Sequence, residues 1–155
     1  MTEAAPARSA KQRKQDTLAR LEQDVDVWVA TADPESGAPY MMPLSFLWHD
    51  GALIVSTRES NPVARNLVAT GKAHLAIGQT RDVVHIEGAA ELIADGDLTP
   101  ELGDAFAERT GFDPRGIKGP YVYFRIRPLR VQAWREANEL AGRDLMRDGT
   151  WLLAD

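Results

Sequence analysis

Apolar positions along this chain recur with two different periods, and the switches between them lay out its elements. From Lys11 to Gln23, Leu18 and Leu21 stand at helical spacing with Val25 four further on, which predicts a short amphipathic helix. Val25, Val27 and Val29 then alternate with Asp24, Asp26, Trp28 and Ala30, the two-residue period of a strand. Asp33 to Gly37, reading DPESG, is turn chemistry. A second strand from Tyr40 to His49 puts Tyr40, Met42, Leu44, Phe46 and Trp48 on one face. His49-Asp50-Gly51 closes a hairpin onto a third strand, Ala52 to Thr57.

The next segment is the most informative. Leu53, Ile54 and Val55 are an apolar strand core, and Ser56, Thr57, Arg58 and Ser60 crowd the turn that follows. Asn61 is a good N-cap, Pro62 fits the first helical position and Gly71 fits just past the end, so a short helix is expected between them. A helix start carries free N–H groups and a partial positive charge. Two hydroxyls and a guanidinium beside it make a candidate phosphate seat, though capping residues occur at every helix start.

Further strands are expected over Lys72 to Gly78 and Val83 to Ile93. In the latter, Val84, Ile86, Gly88, Ala90 and Leu92 share one face, while His85, Glu87 and Glu91 share the other. Thr99 and Pro100 open another helix with Leu102 and Phe106 as its stripe and Gly111 at its end. Phe112 to Pro120 is a loop. Tyr121 to Ile126 is a sixth strand, Pro128 marks a bulge or an edge, and Val131 to Trp134 continues it. Residues 136–155 show no clear pattern. Six short strands, mostly hairpin-linked, with two or three short helices, predict a mainly β, α+β domain. Closing an antiparallel sheet into a small barrel removes its edges. The expected organisation is a disordered tail over 1–10 and one domain over 11–155.

Composition narrows the function. With 155 residues, 44% hydrophobic and 26% charged, the chain is an ordinary globular domain. A net charge of -5 argues against nucleic-acid binding. The absence of cysteine excludes disulfides, thiolate nucleophiles and Cys-ligated zinc. No run approaches a membrane span, and basic residues near the N-terminus precede no apolar stretch, so a cytoplasmic location is expected. Arginine outnumbers lysine 14 to 4, a compositional hint of a GC-rich genome.

There is no GxSxG elbow, Walker loop or GxGxxG fingerprint. His49, His74 and His85 lack metal-ligand spacing, so no metal is expected, and neither His74 nor His85 has a close histidine or carboxylate partner in sequence. No catalytic residue is assigned. A chain without nucleophile, metal or acid/base pair still supports redox chemistry when a bound cofactor supplies the reactivity.

The stretch VDVWVATADPESGAPYMMPLSFLWHDGALIVSTRESNPVARNL followed by VVHIEGAAEL resembles the pyridoxamine 5'-phosphate oxidase-like, flavin-binding split-barrel superfamily, and is most similar to its flavin/deazaflavin-dependent reductases. The resemblance covers roughly Leu18 to Trp134. Its motifs are a strand ending in Ser56-Thr57, the run Arg65 to Leu67 and the Glu87-Gly88 strand. It implies a six-stranded antiparallel split barrel, a homodimer with two cofactor sites between chains, and FMN or the deazaflavin F420 as cofactor; some relatives bind heme. The implied activity is hydride transfer to a small conjugated substrate. The alternative is a non-catalytic carrier of flavin, F420 or heme, or a barrel that has lost its ligand. The implied cofactor contacts are Met42, Pro43, Val55, Ser56, Thr57, Arg58, Asn61, Arg65 and Asn66, with Gln79 and Arg81 pointing into the groove. The chain departs from the family at Val63, where a basic residue usually holds the phosphate, and at Val83, often glutamine. Arg58 is the candidate replacement, because its long fork reaches from the preceding turn.

Overall fold

The computed structural model describes residue 3 and residues 5–154. Part of the expected tail therefore lies outside the described residues. Ser9 caps α1 (Ala10–Gln23), its hydroxyl accepting from the N–H of Gln12. Six strands follow: β1 (Asp26–Ala32), β2 (Pro39–His49), β3 (Ala52–Arg58), β4 (Lys72–Ile77), β5 (Val83–Ile93) and β6 (Tyr121–Trp134). Between them lie α2 (Pro62–Thr70) and α3 (Pro100–Thr110). All adjacent strands are antiparallel, in the order β3-β2-β1-β4-β5-β6, and β6 pairs back onto β3 to close a barrel. The expected mainly β, α+β split barrel is the observed fold.

The predicted alternation decides which side chains fill it. Val27, Val29, Leu44, Phe46, Leu53, Val55, Leu75, Ile86, Phe124 and Ile126 are buried in one cluster. α2 closes the barrel by adding Val63, Ala64 and Leu67. Its cap is as expected: Asn61 accepts from the N–H of Val63, and Gly71 takes the left-handed conformation with φ 66°. A second cluster lies outside the barrel, where α3 covers Ile54, Ile93 and Tyr123 with Leu102 and Phe106.

One expectation is refined and one is corrected. Leu92 keeps the face of Val84 and Ile86, opposite Phe124, but that face is open to solvent there and Leu92 is exposed, while Ile93 on the other face is covered by α3. The pairing shifts register between Glu87 and Gly88, which changes how the second half of β5 meets β6. Opposite that shift, Arg130 pairs with Glu87 and Pro128 with Gly88, so Leu129 is the extra residue of a bulge at the predicted Pro128 position. Second, residues 136–155 are not patternless. They add β7 (Asp144–Arg147) and β8 (Thr150–Trp151) to the edge of β6, through a turn in which Asp148 and Gly149 both have positive φ.

Candidate functional site

The strand end singled out by sequence is tightly packed. Ser56 and Thr57 are buried, and the Ser56 hydroxyl donates to the Val122 carbonyl at 2.9 Å. Val55 is fully buried and its strand is paired on both sides, so it presents nothing to a ligand at this chain's surface. Arg58 is exposed, and its guanidinium lies 4.9 Å from the centre of the Tyr121 ring. At the helix start, Pro62 has no N–H and that of Val63 is taken by Asn61. Two of the donors that a phosphate would use there are thus already absent or committed.

Asn66 faces inward. Its amide donates to the Thr31 hydroxyl at 3.1 Å, with both residues buried, and so ties α2 to β1. Met42 packs against the barrel core, whereas Pro43 stands outward opposite Trp28. Gln79 and Arg81 lie on the turn after β4. Arg81 is bound to Glu136 at 2.9 Å, in a depression lined also by Arg135 and Glu139.

Arg65 is the cation left available. Its backbone N–H bonds the Asn61 carbonyl, but no side-chain hydrogen bond or ion pair engages its guanidinium among the described residues, although Asp33 in the same depression feels its charge. It lines two adjoining depressions: one of about 540 Å³ between α2 and the turn from Asp33 to Tyr40, and one of about 270 Å³ with Ala64, Val68, Leu92 and Val122. The second shares Glu59, Leu92 and Val122 with a third, of about 530 Å³, that runs on to Tyr121 and Tyr123. The three make a trough along α2 and the ends of β3, β5 and β6. It brings together Arg65, Pro62, Asn66 and the apolar walls, and leaves Gln79 and Arg81 elsewhere.

Sequence reasoning missed one pair. His74 and His85 were expected to lack a close partner, and the structure overturns this. The β4–β5 register sets Ala76 against His85 and His74 against Glu87, so the histidines are diagonal neighbours with His74 Nδ1 3.2 Å from His85 Nε2. Burial first, then neighbouring His74, pushes His85 below the usual histidine range. The signal was the hairpin register, which fixes the diagonal once the short turn between β4 and β5 is placed.

The outer face of β1 and β2 is bare: Trp28 is 47% exposed and Met41 60%. The other tryptophans are engaged. Trp48 and Trp151 pack against the core, and Arg143 lies over Trp134. No helix among the described residues is long and apolar enough to cross a membrane.

Residues 14–135 match the family described as pyridoxamine 5'-phosphate oxidase. No curated protein matches the chain. Among solved structures, a FAD-binding protein from Mesorhizobium loti is similar at 20% identity and a TM-score of 0.62, over 81% of this chain and 93% of that one. An F420 reductase is 20% identical with a TM-score of 0.57, over 73% and 93%. HutZ, the heme storage protein from Vibrio cholerae, is 17% identical with a TM-score of 0.63, over 75% and 89%. At these identities the likeness is one of fold.

Proposed function

This chain belongs to the pyridoxamine 5'-phosphate oxidase family, and on that premise we propose that it is an oxidoreductase that binds F420 or FMN and passes a hydride to a small conjugated substrate. The fold is shared with a FAD-binding protein and an F420 reductase, which supports a flavin-type cofactor. The observation that carries the reading on this chain is Arg65: a cation without an ion-pair partner among the described residues, lining the trough beside α2. It suits a phosphate, since a guanidinium forms bidentate charge-assisted bonds with phosphate oxygens. Val68, Leu92 and Val122 give the trough an apolar wall, with Val68 and Leu92 exposed in the single chain. Arg58 lies over Tyr121, which lines the far part, and is the second candidate cation, since Arg115, which lines that part itself, is paired with Asp104 and Asp113. A bound flavin or deazaflavin supplies hydride transfer, chemistry outside the side-chain repertoire.

The active form we propose is a homodimer, with the bare face around Trp28 and Met41 as its contact and a cofactor groove completed by each partner. The proposed setting is cytoplasmic.

A second reading is a non-catalytic carrier of flavin, F420 or heme, or a barrel without a ligand. It is favoured by Val63, fully buried where a phosphate-holding cation would stand, and by the committed donors at the start of α2. Fluorescence titration with FMN and F420 tests for the cofactor, and oxidation of the bound reduced cofactor by a conjugated acceptor separates an enzyme from a carrier of the same cofactor. Arg65→Ala should weaken binding of the phosphorylated cofactor by about 1.5–3 kcal/mol, one to two decades, and spare its dephosphorylated form. Arg58→Ala should lose less. Equal loss for both forms would remove the phosphate role. Failure of wild-type protein to bind either cofactor would favour a heme carrier or a barrel without a ligand, which a heme titration then tells apart.

A further inference from the structure

We propose that His74 and His85 form a chelating site for a divalent transition-metal ion on the outer face of the barrel, apart from the trough. Their facing nitrogens are 3.2 Å apart. Two nitrogens each about 2.0–2.1 Å from one zinc and separated by that distance subtend an angle of about 100°, close to the tetrahedral value. The rings are tilted by 45° with centroids 5.2 Å apart, so they approach edgewise rather than stack.

The surroundings favour lone pairs on the facing nitrogens. The far nitrogen of His74, Nε2, lies 4.0 Å from the Glu87 carboxylate, which favours a proton there and leaves Nδ1 an acceptor. Gln132 stands opposite His85 on the neighbouring strand. Gln132 donates its amide to Asp144 Oδ1 at 2.7 Å, which leaves its carbonyl oxygen to receive the His85 proton. Without metal the two nitrogens share one hydrogen bond, one ring donating to the other, and a cation takes that proton's place when both rings carry their protons on the far side. A carboxylate or carbonyl behind each metal-ligating histidine is the usual second layer of such sites.

The local charge permits it. Glu87 and Asp144 are the carboxylates beside the pair, and Arg130 is shared between them at 3.9 and 3.2 Å. No group of three or more metal-ligating side chains assembles among the described residues. The protein therefore supplies two ligands, and water completes the shell. In the single chain His74 is more than half exposed and the ion has a path in, on the same outer face as Trp28 and Met41. Imidazole nitrogen selects copper, nickel and zinc over magnesium or calcium.

The test is calorimetric titration of the untagged, metal-free chain with Zn²⁺ alone, and electron paramagnetic resonance with Cu²⁺. One zinc per chain and a copper spectrum carrying two imidazole nitrogens are expected. His74→Asn and His85→Asn should each weaken zinc binding by about tenfold or more. No saturable binding, or equal binding by the His74→Asn variant, would overturn the proposal. His74→Asn alone decides if His85→Asn fails to fold, because His74 stands largely in solvent.

Discussion

Glu139 shows how one residue ties down a segment that carries no regular structure. It is 2% exposed and accepts from the Arg8 backbone and guanidinium at 2.8–3.0 Å and from the Arg135 N–H at 3.0 Å. Arg8 chiefly, by hydrogen bonding to it, lowers its pKa from the ordinary carboxylate value to about 2. A carboxyl depressed on folding stabilises the native state above its unfolded pKa, about 4.3, and that contribution disappears as pH falls through the folded value. Thermal unfolding should therefore lose midpoint between about pH 4.5 and pH 2. Glu139→Gln should lower stability at neutral pH by about 1–3 kcal/mol and flatten this acid limb, as read by calorimetry across that range. Asn66 is the converse case, a residue that sequence assigned to the cofactor and that the structure finds bonded to Thr31. Asn66→Ala should destabilise the fold by about 1–3 kcal/mol in urea, because it strands a buried hydroxyl. Unchanged stability would mean the bond contributes little.

At the scale of the element, β5 carries the most consequence. Gly88 sits where it crosses β6: a Cβ built there would lie 2.5 Å from Cγ2 of Ile126. The branched methyl has no room to give, so Gly88→Ala should cost about 1–3 kcal/mol through overpacking. Chemical denaturation reads this directly, and an unchanged midpoint would show that β6 moves freely at its bulge. Beyond the bulge β5 keeps its alternation, so Leu92 stands opposite Phe124 at the barrel's end, where it lines the trough, and Ile93 stands opposite Tyr123 beneath α3.

For the whole molecule, the exposed Trp28 and Met41 sit side by side: Trp28 pairs with Pro43, and Met41 with Ala30, on adjacent strands. A tryptophan at the centre of a desolvated patch is a typical anchor of an interface. Sedimentation velocity at micromolar concentration should show a dimer, and Trp28→Glu should shift it to monomer without changing the circular dichroism. A wild-type monomer would separate the proposed function from a shared groove. Folding economy also shows at this scale. The barrel closes through β3–β6 pairing, and the hairpin of β7 and β8 extends the sheet beyond that closure instead of leaving it inside.

Local patterns in the sequence determined the strands through β6, the caps of α2 and α3, the bulge at Pro128 and the family. Each of these depends on residues close in the chain: alternation, a cap with its helix, a proline that cannot donate. Only the tertiary structure decided which polar groups remain available. Asn66 and Ser56 are consumed by Thr31 and Val122, 35 and 66 positions away, and such partners leave no mark on local sequence. Strand pairing likewise brought His74 to His85, because a cross-strand diagonal is set by register, not by spacing. The hairpin after β6 escaped a pattern reading because its strands are four and two residues long, too short for a period to show.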